Sequence, residues 1–321
     1  MERRTFVQLS SAAGAALTAT AADTPMPMTT LGKSGLRISR FCLGGAHMRM
    51  RGEENAIRMI QRAHELGVTF FDSAAKYHNG ASDEAYGKAL AGKRQQVILM
   101  SKAEKRDAAG AMEQLENTLR RMKTDYLDLW QCHEVVHHWE VDKILGPGGA
   151  LESFVKAKKE GKVRHIGFTG HADPSVHLRL LESFDGWETI QHPVNLIDPH
   201  YLSFTYNVLP RAKQKGLGTL AMKANGMGSI GKNNIAPIEE CLRFSLSQDP
   251  DAIVSGPETI EQLEQNIGVV KAWQKFSPQE ISSILDRTRR GPIGSRIETY
   301  KKKEPWLAQA GLPAHRDGEA D

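Results

Sequence analysis

From about Arg37 onward the chain alternates short apolar runs with longer stretches whose apolar residues recur at helical spacing. The runs cover 38–44, 68–73, 97–102, 126–133, 163–169, 189–194, 218–222 and 252–255, and are rich in Val, Ile, Leu, Phe and Thr, as strands buried on both faces are. Helical patterns lie between them at 53–66, 83–90, 109–122, 151–160, 174–184, 205–215, 237–246 and 259–273. Gly67, Gly92, Gly161 and Gly216 follow four of these, where left-handed C-cap positions are expected. Eight strands alternating with eight helices is the count of a (β/α)8 TIM barrel. A doubly wound sheet has the same alternation, so periodicity leaves both open. A further helix is predicted over 277–289, with Ser277 and Glu280 spaced as a capping box, followed by an irregular tail.

The predicted organisation is an export signal over 1–22, a barrel over 29–290 and a C-terminal tail over 291–321. The opening MERRTFVQLSSAAGAALTATAA has paired arginines, a weakly apolar Ala-rich stretch and small residues at its end. It is similar to a bacterial twin-arginine signal, which implies a periplasmic protein. Charge is nearly balanced, with 42 Lys+Arg against 38 Asp+Glu scattered along the chain, which argues against a nucleic-acid or membrane-surface partner. The basic run at Lys301 to Lys303 reads as a solvated tail. Three cysteines, Cys42, Cys132 and Cys241, are too few for a disulfide framework. No apolar run reaches the ~18 residues of a membrane span. Nothing in the sequence sets an oligomeric state.

Chemistry in a barrel gathers where strands end. Asp72 follows FF, Tyr77 lies in the next loop, Lys102 ends VILMSK and His133 ends YLDLWQCH. Together these four residue types form a proton-transfer device. A free Tyr is a poor acid at neutral pH; a nearby Lys cation stabilises the phenolate and lowers its pKa. Asp72 would hold Lys102 charged, and His133 would orient a substrate carbonyl.

The segments LGKSGLRISRFCLGG (31–45), FFDSAAKYHNGASDEAYGKAL (70–90), ILMSKAE (98–104), LRRMKTDYLDLWQCH (119–133), GKVRHIGFTG (161–170) and EQLEQN (261–266) resemble, in order, the signatures of the aldo-keto reductase family. The resemblance implies a (β/α)8 barrel that binds a nicotinamide dinucleotide without a Rossmann fold. It makes Asp72, Tyr77, Lys102 and His133 a catalytic tetrad in which Tyr77 is the general acid or base for interconverting a small-molecule carbonyl and alcohol.

The same resemblance assigns cofactor contacts. Gly44, Gly45 and Ala46 would let backbone approach the nicotinamide, Asp72 would border it, and Gln191 would bind its carboxamide. Where the family has Ser-Asn this chain has Thr169-Gly170, and where it often stacks an aromatic ring this chain has Met222, whose thioether can pack on a ring face. At the adenosine end Gly256 and Glu258 stand where relatives carry basic residues, Gln262 replaces a frequent Arg, and Gln265 and Asn266 match adenine-binding positions. A carboxylate repels a 2′-phosphate and accepts hydrogen bonds from a ribose diol. The expectation is NAD(H) in preference to NADP(H), with Lys223 and Lys232 as the cations that would supply charge for NADP(H). An exported enzyme without free reduced nicotinamide would retain its NAD, and redox-neutral chemistry on a sugar or other polyol suits a retained cofactor.

Three alternatives compete. His133-Glu134-Val135-Val136-His137 spells the zinc motif H-E-x-x-H, but its first His ends a strand and Val135-Val136 favour extended chain. Gly226 to Gly231 spells G-x-G-x-x-G without a helix close behind; as a loop it would fold over a pyrophosphate. Lys102 at a strand end could form a Schiff base, as barrel aldolases do. The rival function is a catalytically silent nucleotide-binding sensor or structural subunit. Substrate choice would rest on the 137–149 loop, the 200–204 loop and the tail, with His137, His138, Trp139, His171, His192 and His200 as candidate lining.

Overall fold

The computed structural model describes residues 24–289 and 296–301. The predicted signal at 1–22 therefore lies outside the described residues. Eight parallel strands close into a barrel: β1 Phe41–Gly44, β2 Phe70–Asp72, β3 Ile98–Ala103, β4 Leu127–Cys132, β5 Val163–Thr169, β6 Thr189–Pro193, β7 Gly218–Met222 and β8 Ala252–Ser255. Each pairs with its sequence neighbour, and β8 closes on β1 through Ile253↔Phe41 and Val254↔Cys42. This is the (β/α)8 alternative; a doubly wound sheet would have left two edges.

Strand pleating explains which residues reach the barrel axis. Alternate residues point to opposite faces. Phe41, Leu43, Phe71, Leu99, Trp130 and Ile190 pack outward against the helices, where Trp130 stacks on Phe154 at 3.9 Å. Cys42, Phe70, Met100, Leu129 and Leu220 pack inward in a separate apolar cluster. Two positions further along the same inward faces stand Asp72, Lys102, Gln131 and Met222. The axis is thus apolar at its base and polar at its C-terminal mouth.

The base is plugged by something the sequence did not announce. The run 38–44 reads as one strand, yet only Phe41–Gly44 belongs to the barrel. Arg37–Ser39 pairs antiparallel with Met28–Thr30, and this hairpin inserts Leu31 and Ile38 into the inward cluster. The break at Arg40 is stabilised by Ser39, whose hydroxyl donates to Phe41 O at 2.6 Å and accepts from the Thr69 and Phe70 N–H groups. Pro210 likewise divides the expected 205–215 helix into Phe204–Asn207 and Leu209–Gln214. The 137–149 loop contains a helix, His138–Leu145. The predicted capping box closes Pro278–Arg289: Ser277 N–H donates to Glu280 at 2.7 Å and Glu280 N–H to Ser277 at 3.2 Å. The four C-cap glycines all have positive φ. No helix among the described residues is long and apolar enough to cross a membrane.

The tail corrects a further expectation. Lys301 is not solvated. Its ammonium is fully buried against Asp198 at 2.6 Å and Glu298 at 2.8 Å, and donates to Tyr201 O at 2.7 Å. A lone Lys in a basic run reads as surface because its partners, Asp198 and Glu298, meet it only in the folded chain. Lys302 and Lys303 lie outside the described residues. This anchor holds Tyr300 at the barrel mouth.

Candidate active site

The inward ends of β2 and β3 bring Asp72 and Lys102 together, both essentially inaccessible. Lys102 Nζ donates to Asp72 Oδ1 and, at 2.8 Å, to Ser73 O. Burial, the largest single influence, would lower the Lys102 pKa, but the Asp72 charge and hydrogen bond together with the Tyr77 and Cys42 charges outweigh it, and the ammonium ends above its ordinary value. A charged, ion-paired lysine is a poor imine-forming nucleophile, so the Schiff-base alternative loses its chemical basis.

Tyr77 opens a tight turn after β2, in which His78 and Asn79 both take positive φ. That turn brings the phenol back over the barrel: Lys102 Nζ lies 5.1 Å from the ring centroid, and the His133 ring stands edge-on at 5.4 Å. Lys102 was expected to lower the Tyr77 pKa below its ordinary value. It pulls in that direction, by charge and hydrogen bond, but burial is larger and the phenol ends above its ordinary value. Tyr77 is therefore protonated at neutral pH and is a proton donor by default. Burial, then the Lys102 and Lys76 charges, drive the His133 pKa far down, so its ring is neutral. His133 Nδ1 has no partner among the described residues.

A cavity of about 500 Å³ opens here, lined by Tyr77, Lys102 and His133 together with Ala46, Thr169, Gln191, Met222 and Lys223. Gln191 donates to Asp72 Oδ2 at 3.4 Å and lies 3.8 Å from the Met222 sulfur; its own Oε1 is buried and has no partner among the described residues. An orphaned amide oxygen beside Thr169 and Met222 suits a carboxamide N–H, so these residues fit a nicotinamide. Burial lowers the Lys223 pKa to about 8.

The other predicted contacts fall outside the cavity lining. Asp72 sits behind Lys102. A Cβ at Gly45 would meet Ser82 Oγ at 2.4 Å, and one at Gly170 would meet the His177 ring at 2.4 Å and Val135 O at 2.5 Å. These two glycines are thus required by protein packing. Gly44 has milder contacts, the nearest Val254 at 3.2 Å. Gly256 lies against His47. Glu258, Gln262, Gln265 and Asn266 lie on or beside Ile260–Ala272: Glu258 N–H donates to Gln262 at 2.9 Å, Asn266 donates to Ser255 at 3.1 Å, and Gln265 contacts Glu239. Lys232 ends the short helix Ser229–Lys232, part of the loop that spells G-x-G-x-x-G.

Of the candidate lining histidines, only His171 reaches the cavity. His192 bonds its own strand at Pro193 O, His200 bonds Thr288, and Trp139 is exposed. The sequence reading missed His47, Lys76, Glu134 and Tyr300, which line the mouth. For Glu134 a signal existed, since it directly follows a strand-end His. For Tyr300 none did, because the tail has no periodicity. The zinc reading fails on geometry: His133 follows a strand, His137 caps a helix, Glu134 between them is left-handed, and no metal-binding cluster occurs among the described residues.

A parallel barrel with a buried Lys–Asp pair, a phenol and a neutral imidazole around one open cavity is chemically equipped for proton transfer. The chain belongs to the aldo/keto reductase family, whose model matches residues 40–237. It is 28% identical to the uncharacterized oxidoreductase YrpG of Bacillus subtilis, over 86% of this chain and 99% of that one. It is 23% identical to L-galactose dehydrogenase of Arabidopsis thaliana, over 82% and 95%. An aldo-keto reductase from Klebsiella pneumoniae solved with NADPH superposes with a TM-score of 0.66, at 22% identity over 87% of this chain and 99% of that one.

Proposed function

We propose that this family member interconverts a carbonyl and an alcohol using a nicotinamide dinucleotide, with Tyr77 as general acid or base. The observation that carries the reading is one cavity lined by Tyr77, Lys102, His133 and Gln191, whose buried Oε1 has no partner among the described residues. A bound nicotinamide supplies or accepts the hydride. The protein's own part is proton management. The neutral His133 ring orients the substrate oxygen, Tyr77 gives that oxygen a proton in reduction and removes it in oxidation, and Lys102, kept charged by Asp72, stabilises the phenolate in between. Gln191 and Thr169 would hold the carboxamide. A mouth this open favours turnover over the silent-subunit reading.

At the adenosine end, Glu258 and Gln262 support a preference for NAD(H), although the Klebsiella relative was solved with NADPH. Dissociation constants for the two nucleotides test this, and tighter NADP(H) binding refutes it. The arginine pair at the N-terminus supports twin-arginine export to the periplasm with NAD retained from the cytoplasm. A sugar or other polyol suits that setting, and the plant relative's name adds to it. Nucleotide released on denaturing the exported protein supports retention, and its absence refutes it. The chemistry itself is tested with nicotinamide deuterated at C4. Transfer of deuterium to the carbinol carbon of a reduced aldehyde is expected; binding of nucleotide without transfer to any carbonyl would return the chain to the silent reading.

A further inference from the structure

Beyond Asp72, Tyr77, Lys102 and His133, the cavity residue Glu134 has a placement enforced by buried contacts. It has φ +51, a left-handed conformation disfavoured for a residue with a Cβ and kept only where the surroundings over-determine it. They do so here. Buried Arg106 donates from Nη2 to both His133 O at 2.8 Å and Glu134 O at 3.0 Å, and from Nε to Glu140 at 2.8 Å. The second Glu140 oxygen accepts from the Val136 and His137 N–H groups at 2.7 and 2.8 Å. One buried ion pair thus fixes the backbone from 133 to 137. Its effect is to present the Glu134 carboxylate at the cavity next to His133. There Lys76 pairs with one oxygen, and His171 Nε2 donates to the other at 3.1 Å.

Neither charged partner is saturated. Each carboxylate oxygen can accept a second hydrogen bond, and the Lys76 ammonium has further N–H groups. Glu134 is 30% and Lys76 40% exposed, so both remain reachable. Hydrogen bonds from His171 and Lys76 hold Glu134 well below the usual carboxylate range, which keeps it an acceptor at every working pH. A fixed acceptor beside a fixed donor matches two neighbouring hydroxyls, one donating and the other accepting.

We propose that Glu134 and Lys76, steadied by His171, form a recognition site for a vicinal diol beside the reacting carbon. The inference rests on the carbonyl–alcohol reading of the same cavity, and it names the residues that would select a polyhydroxylated substrate. The test compares kcat/KM for glyceraldehyde and propionaldehyde, which differ by the diol, in the full chain with nucleotide, for the native protein, Glu134→Gln and Lys76→Met. The native protein should prefer glyceraldehyde, and each substitution should lower the ratio about ten- to a hundredfold, as expected for a lost hydrogen bond to a charged group. If one variant fails to fold, the other gives the same readout. Reduction of both aldehydes with a ratio that neither substitution moves overturns the diol site and leaves the catalytic reading standing. Nucleotide binding with neither aldehyde reduced overturns the catalytic reading, and this inference with it.

Discussion

Replacing Lys102 with Met separates the stability of the site from its chemistry. Lys102 and Asp72 are 1% and 2% exposed, so water does not reach either charge. Without the ammonium, the Asp72 carboxylate keeps, among the described residues, only the Gln191 amide at 3.4 Å. Breaking one side of a buried ion pair costs about 3–5 kcal/mol. In a barrel of this size, at about 2 °C per kcal/mol, Tm should fall by about 6–10 °C. Burial then raises the already elevated Asp72 pKa further. A folded-state pKa above the unfolded value makes the group's contribution worse as pH rises, so the deficit of the variant should be larger at pH 8 than at pH 5. Adding Asp72→Asn should recover most of the lost Tm, because the neutral pair leaves no buried charge. Calorimetric scans of the two single variants and the double variant make the comparison. A Lys102→Met protein that melts within about 2 °C of the native one at pH 8, or a double variant no better than the single, would refute the reasoning.

Other consequences follow from the same geometry. Reduction requires protonated Tyr77 and neutral His133; since the former lies above its ordinary value and the latter far below, kcat/KM for reduction should be flat from about pH 6 to 9 and fall as the phenol ionises. An acidic limb near pH 7 would contradict the neutral imidazole. His177, buried between Phe168 and Phe204 with no partner for either ring nitrogen among the described residues, has its pKa driven far down by burial. The unfolded chain takes up this proton first, so stability should drop as pH falls below about 6.5, and His177→Leu should flatten that slope by about 1.4 kcal/mol per pH unit; equal slopes would count against it. Gly170→Ala should cost about 1–3 kcal/mol, because its Cβ meets the His177 ring and Val135 O, and an unchanged Tm would show that the packing yields.

The barrel was legible because its signal is repeated: the apolar runs are largely buried, and Gly67, Gly92, Gly161 and Gly216 after helix patterns sit at positive φ. The meeting of Asp72, Lys102 and His133 at one mouth was legible because strand ends are marked by the switch from apolar to polar residues, as in VILMSK and LWQCH. What escaped depends on contacts far apart in the chain. Nothing near Lys301 announces Asp198, and nothing near Glu134 announces that Arg106 and Glu140 will fix it left-handed. The sign of the Tyr77 shift escaped for a related reason. The Lys102 charge follows from residue identity, whereas the opposing burial follows from how completely neighbouring loops cover the ring. At Gly45 and Gly170 the atoms that forbid a Cβ belong to Ser82, His177 and Val135, contacts made far along the chain that the local sequence does not reveal.

The central claim is that the Tyr77 hydroxyl moves the proton while hydride transfer takes place beside it. Single-turnover oxidation of reduced nucleotide by a carbonyl substrate, measured for native protein and Tyr77→Phe alongside nucleotide affinity, tests this most directly. The account predicts hydride transfer slowed by about 10²–10⁴-fold with nucleotide affinity nearly unchanged. Transfer at close to the native rate in Tyr77→Phe would contradict it.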